Sequence, residues 1–263
     1  MRSINVTRYI LPLREGGSLP AIVEGDDQGM YVLKFRGAGQ GTKALIAELV
    51  AGEIARALDL PVPEIVFAQL DAELARTEGD PEIQHLIRAS AGLNVALDYL
   101  PGAVAFDPLA EQPDALLASR VVWFDAFASN VDRTPRNTNL LVWHRKLWLI
   151  DHGAALYFHH DWSNSSSAQS SDRARDAFAR SKDHVLLPLA TQLEQADAVS
   201  AARLDTDTLE RIVALIPDAW LEPEGALRDA AATRAAYLDY FTRRLQSPRA
   251  FVQEAIRARS IHV

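Results

Sequence analysis

Cysteine is absent from the 263 residues, so disulfides, thiolate metal sites and cysteine nucleophiles are all excluded. Long apolar runs are missing too: nothing approaches the roughly 20 residues of a membrane span. The stretch Tyr9-Ile10-Leu11-Pro12-Leu13 is too short, and too broken by proline, to act as a signal peptide. A soluble, cytoplasmic protein without a membrane partner is therefore the expectation. Positive charge is in deficit, with a net charge of -8 and a pI near 5.4. That argues against direct nucleic-acid binding through a broad basic face, because such affinity comes from neutralising phosphates. A local pocket for one nucleotide triphosphate remains compatible with it. No internal repeat is present, and a 48% hydrophobic content is enough for a sizeable core.

The first hundred residues read as strands around one main helix. Ala21-Ile22-Val23-Glu24 and Met30-Tyr31-Val32-Leu33-Lys34-Phe35 are β-prone runs separated by the turn formers Gly25 to Gly29. Leu45, Leu49, Ile54 and Leu58 recur near helical spacing, which predicts an amphipathic helix over 44–58 that stops before Pro61 and Pro63. Val62 to Leu70 and Leu93 to Leu100 read as further strands, and Pro101-Gly102 as a hinge. Beyond it come a long apolar helix from Ala115 to Ala128, a strand pair over 140–150, a serine-rich stretch over 163–171, and a mostly helical remainder. The expected architecture is α+β with two lobes and a cleft between them. On this reading residues 1–100 would form a β-rich N-lobe and residues 101–263 a helical C-lobe.

Chemistry concentrates in the second half. Asp132 is followed five residues later by Asn137, and an apolar strand then ends in Leu149-Ile150-Asp151-His152-Gly153. In phosphotransferases this layout places one Asp to orient and deprotonate the acceptor, while the Asn and the second Asp hold magnesium bridging the ATP phosphates. An amide oxygen plus a carboxylate suits that hard cation. Alone, Asp132 reads as a turn residue, since Asn130 to Pro135 is rich in turn formers. Asp151 is harder to dismiss, because a carboxylate after so apolar a strand is costly unless it serves something.

Lys34 shares a strand face with Val32, so its ammonium can enter a cleft while Leu33 packs behind. Glu48 on the following helix is its natural partner, with Glu53 as the fallback. By itself Lys34 is an ordinary strand lysine; the ordered set Lys34, Glu48, Asp132, Asn137, Asp151 is what carries specificity. Arg133 and Arg136 either neutralise a moving phosphoryl group or support the loop through carbonyl contacts. Asn139 reads either as a second metal ligand or as a loop-to-strand residue. Gly37 to Lys43 is not a P-loop, because Lys43 follows Thr42 and Ala44 stands where Ser or Thr belongs. His152, His159, His160 and Asp161 match no zinc spacing.

Together these pieces resemble the HipA-like kinases, a bacterial branch of the protein-kinase-like fold. The matching stretches are Glu15-Gly16-Gly17-Ser18-Leu19-Pro20, Tyr31 to Phe35, Ala47-Glu48-Leu49 running into Leu60 to Glu64, and Asp98 to Ala103. They continue with Asp132 to Asn139, Ile150 to Gly153, and His184-Val185-Leu186-Leu187-Pro188, spanning residues 15 to 188. The resemblance implies ATP and Mg2+ as cofactors. It implies Asp132 as catalytic base, Lys34 paired with Glu48 on the phosphates, and Asn137 and Asp151 on the metal. Asp98, Tyr99 and Leu100 would form the adenine hinge through backbone groups, and Gly16, Gly17 and Ser18 would belong to a phosphate-covering loop. A protein serine or threonine is the implied acceptor. A small molecule or lipid as acceptor, or a non-catalytic pseudokinase, are the competing readings. The chain departs from familiar kinases in three places: no full Gly-x-Gly-x-x-Gly is present, Asn130-Val131 precede Asp132 where a histidine is usual, and His152 replaces the aromatic of Asp-Phe-Gly.

Overall fold

Alternating burial along the first strands closes them into a barrel. In the computed structural model, which describes residues 1–13, 19–164, 173–224 and 227–262, the barrel strands are β1 (Ser3–Pro12), β2 (Ala21–Gly25), β3 (Met30–Lys34), β4 (Ile65–Leu70) and β5 (Gly92–Asp98). They join in the order β1-β2-β3-β5-β4. Closure comes from a short parallel seam, Ser3–Asn5 against Phe67–Gln69, while the other seams are antiparallel. A closed barrel leaves no unpaired edge. Its interior holds Ile4, Val6, Val23, Tyr31, Leu33, Val66, Ala68 and Ala96. Strand β1 was not expected from the sequence. Two register shifts, at Val6/Arg8 and Tyr9/Leu11, break its apolar alternation and bend it around the barrel.

Helix α1 (Thr42–Ala57) links β3 to β4, close to its predicted span. It is buried at every position from Leu45 to Ala55 except Glu53, so it lies inside the molecule rather than on its surface. A second helix, α2 (Pro81–Ala89), lies between β4 and β5, in a stretch to which the sequence pattern assigned no element. Its signals are local: Asp80 caps the amide of Glu82, Pro81 opens the first turn, and Ile83, Leu86 and Ile87 form one buried stripe. After β5, Leu100-Pro101-Gly102-Ala103 makes a turn closed by Ala103 N–H to Leu100 O at 3.1 Å. Pro101 presets its first corner, and Gly102 at φ 77° supplies the left-handed second corner.

The rest of the chain is a three-stranded sheet and a helical core. Strands β6 (Val104–Ala105), β7 (Leu140–Trp143) and β8 (Lys146–Leu149) pair in that order. Helix α3 (Ala115–Phe127) is capped by Asp114, which accepts from Leu116 and Leu117, and packs against α4 (Leu193–Arg203) and α7 (Ala250–His262). Trp123, Phe124 and Phe127 of α3 are fully buried. Each contributes about 1.5–3 kcal/mol, which lets the same helix carry a buried carboxylate, Asp125, once that group is paired. Helices α5 (Thr206–Val213) and α6 (Ala230–Leu245) complete the set. One hydrophobic cluster runs from α1 through α3 to α7, so barrel and helices share a core. Among the described residues, no helix is long and apolar enough to cross a membrane.

Candidate active site

The left-handed residues Asn139 (φ 48°) and Asp151 (φ 54°) flank the β7–β8 hairpin. Asn and Asp tolerate that conformation better than most side chains. Ile150 N–H donates to Asn139 O at 3.1 Å, so the hairpin brings the end of the Asp132 loop beside Asp151.

Three charged groups from three elements meet at Lys34. Val32 and Lys34 face away from the barrel interior, while Tyr31 and Leu33 fill it. The Lys34 ammonium lies 2.6 Å from Asp151 Oδ1 and 3.7 Å from Glu48 Oε2. Burial alone would discharge Lys34, but Glu48 and Asp151 outweigh it and raise its pKa. Burial likewise pushes the Glu48 carboxyl up, yet the Lys34 ammonium and the His152 hydrogen bond hold it down at about 2. Glu53 does not reach this cluster and instead lies 3.7 Å from Arg56. His152 occupies the place of the missing aromatic. Its ring packs edge-on against Phe124 and its Nδ1 lies 3.3 Å from Glu48 Oε1. One side chain thus does the packing of an aromatic and also steadies the carboxylate.

Asp132 is held by amides on both sides of its loop. Thr134 and Asn137 exchange two backbone hydrogen bonds, with Pro135 and Arg136 at the corners. This small hairpin folds Asn137 back, so that its Nδ2 donates to Asp132 Oδ2 at 2.8 Å. Asn139 Nδ2 donates to the same oxygen at 3.2 Å and to Asp132 O at 3.3 Å. Both side-chain amides address Oδ2. Among the described residues no hydrogen bond or ion pair directly joins the Asp132–Asn137–Asn139 group to the Lys34–Glu48–Asp151 group.

Besides the Ile150–Asn139 backbone bond, the buried Arg133 links them. Its Nε donates to Asp125 Oδ2 at 2.6 Å, and its Nη1 donates to the carbonyls of Asn139 and Ile150, the latter at 3.5 Å. Carbonyl support is therefore its structural job, while Arg136 is exposed. Asp125 is the hub of this network. It also accepts from Asn130 Nδ2 at 2.7 Å and from His184 Nε2 at 2.9 Å. Because Leu186 N–H donates to His184 Nδ1, the proton of His184 sits on Nε2 and points at Asp125. Burial pushes the Asp125 carboxyl up, but Arg133 and His184 hold it well below the usual carboxylate range. No role for Asp125 or His184 was foreseen from the sequence. The available signal was a single carboxylate inside the apolar run Val121 to Phe127.

At the predicted adenine hinge, Asp98 N–H is taken by Glu64 O and Tyr99 N–H by Met30 O. Leu100 N–H makes no hydrogen bond among the described residues. Gly16, Gly17, Ser18 and most of the serine-rich stretch lie outside the described residues. Lys43 points away from any phosphate site, toward His159 O and Glu224. A concavity of about 410 Å³, lined by Phe106, Asp114, Leu117, Arg145 and Lys146, contains none of the predicted site residues.

The family model described as HipA-like kinase matches residues 6–251. Among solved structures, the Helicobacter pylori proinflammatory kinase CtkA is similar over 99% of both chains, with 12% identity and a TM-score of 0.53. The Golgi casein kinase with Mn/ADP bound is similar over 95% of this chain and 73% of its own, with 11% identity and a TM-score of 0.44. No curated protein matches. The match extends over nearly the whole chain and the fold it shares is a kinase fold: the protein belongs to the HipA-like kinase family and is a kinase.

Proposed function

We propose that this kinase transfers the γ-phosphoryl group of ATP, with magnesium, to a serine or threonine of a protein. Residues 1–100 act as the nucleotide-binding lobe and residues 101–263 as the catalytic one. The observation that carries the reading is the Arg133 staple. It makes the Asp132 loop and the backbone before Asp151 one rigid unit, so base and metal carboxylate keep their spacing. The donor set fits magnesium: Asp151 has one oxygen on Lys34 and another free of it, and Asn137 donates its amide nitrogen to Asp132, leaving its carbonyl oxygen for a cation. When bound, the ion supplies charge neutralisation on the phosphates.

The chain's own residues do the rest. Lys34, kept charged by Glu48, holds the phosphates. Asp132 receives the acceptor proton at Oδ1, the oxygen that Asn137 and Asn139 do not address. The free amide of Leu100 receives an acceptor atom of the adenine edge, and Gly16, Gly17 and Ser18 cover the phosphates. The protein acceptor rests on the family alone.

Incubation with γ-labelled Mg-ATP, alone and with cell lysate, tests the reading. Label on protein serine or threonine is the expected result, and EDTA should abolish it. Label recovered only in a small molecule or lipid would replace the acceptor. Magnesium-dependent ATP binding without any transfer would make the chain a pseudokinase.

A further inference from the structure

Barrel and helices are joined at a second place besides the Leu100–Ala103 turn. Trp220, in the short helical turn Asp218–Trp220, is 2% exposed and reaches back onto the barrel. Its Nε1 donates to Leu93 O at 3.2 Å, and its ring meets Phe67 of β4 edge-on at 5.7 Å. Leu93 is the second residue of β5 and Leu100 lies just beyond its other end. At about 3.3 Å per residue the two ties are roughly 20 Å apart.

Helix α1 lies against this second tie. Both α5 and the Asp218–Trp220 turn pack on it, and Ile46 shares a cavity of about 240 Å³ with Trp220. At its first turn, Lys43 Nζ donates to His159 O at 2.9 Å and pairs with Glu224 at 2.7 Å. His159 is itself pinned, with its buried Nδ1 2.9 Å from the Tyr237 hydroxyl of α6. Burial keeps that phenol protonated and keeps His159 neutral, so the two are joined by an uncharged hydrogen bond. The helix bearing Glu48 is thus fastened at its start by Lys43 and along its side by Trp220.

We propose that Trp220, with the Lys43–Glu224 pair, is a positioning element that holds α1 so that Glu48 stays on Lys34. In kinases this lysine–glutamate pair must be in place for transfer, and displacement of its helix is a common means of control. Here the contacts that hold the helix come from the chain's own second half. The inference rests on the proposed function, because it assigns Glu48 its role there.

Two measurements on wild type, Trp220→Ala, Glu48→Gln and the double variant test it. Hydrogen exchange along residues 45–55 should quicken in Trp220→Ala. Phosphotransfer should fall about tenfold in Trp220→Ala alone, yet hardly further in the Glu48→Gln background, because the clamp then has nothing left to position. Trp220→Phe, which keeps a ring against Phe67, should recover much of the rate. Unchanged exchange in α1, or equal rate losses in both backgrounds, would overturn the proposal. If Trp220→Ala does not fold, Lys43→Met replaces it, since that side chain is partly exposed and its loss removes only the Glu224 pair and the bond to His159 O. A wild type without any transfer would defeat the functional reading, whereas the exchange measurement would still decide the clamp.

Discussion

Asp132→Asn should slow phosphoryl transfer by about 10²–10⁴-fold, the usual contribution of a general base, and leave ATP affinity unchanged. The substitution is nearly isosteric. The asparagine carbonyl can still accept from Asn137 and Asn139, which both address Oδ2 in the parent. The new amide nitrogen then occupies the other position and presents a donor where the acceptor hydroxyl needs a base. Nucleotide contacts are untouched, because Lys34 and Asp151 belong to the separate ionic group. Initial rates with labelled ATP and a fluorescence titration of nucleotide binding check both halves. An undiminished rate would remove Asp132 from the chemistry.

The largest stability effect is expected at Asp125. Asp125→Ala leaves the Arg133 guanidinium buried without its carboxylate and costs about 3–5 kcal/mol. At roughly 2–4 °C per kcal/mol for a chain near this size, the melting temperature should drop by about 10 °C. The pH dependence follows from the direction of the shift. The folded carboxyl is held below its unfolded value, so its contribution is present above pH about 4 and lost as pH falls further. Urea midpoints of wild type and variant should therefore converge below pH about 4. Parallel curves across that range would show that the pairing with Arg133 and His184 contributes nothing.

Local spacing made part of the site legible. Asn137 meets Asp132 because Pro135 and Arg136 sit between two residues that hydrogen-bond across a turn, and such chemistry is written in consecutive residues. Lys34 reaches Glu48 because strand alternation and helix periodicity each fix a face. That Lys34 would sit closer to Asp151 than to Glu48 was not legible, since the pair spans 117 residues. Asp125 and His184 escaped for the same reason, 59 residues apart and joined only by the fold. Strand β1 escaped because its bulges hide the period, and α2 because its nine residues carry only three buried apolar side chains, Ile83, Leu86 and Ile87. The helices of the second half were legible because α3 is apolar all round, a pattern that only deep burial explains.

The parallel seam between β1 and β4 sets an order on synthesis. Residues 3–5 must wait for residues 67–69, and β4 in turn pairs with β5, which ends at Asp98. As the chain leaves the ribosome, β1 therefore spends that interval with an open edge, and the barrel becomes a finished unit only once Asp98 has emerged. Long-range closure of this kind is slow and exposes strand edges meanwhile. The contact between Trp220 and Leu93, 127 residues apart in the chain, comes later still. It is thus formed on a barrel already able to receive it.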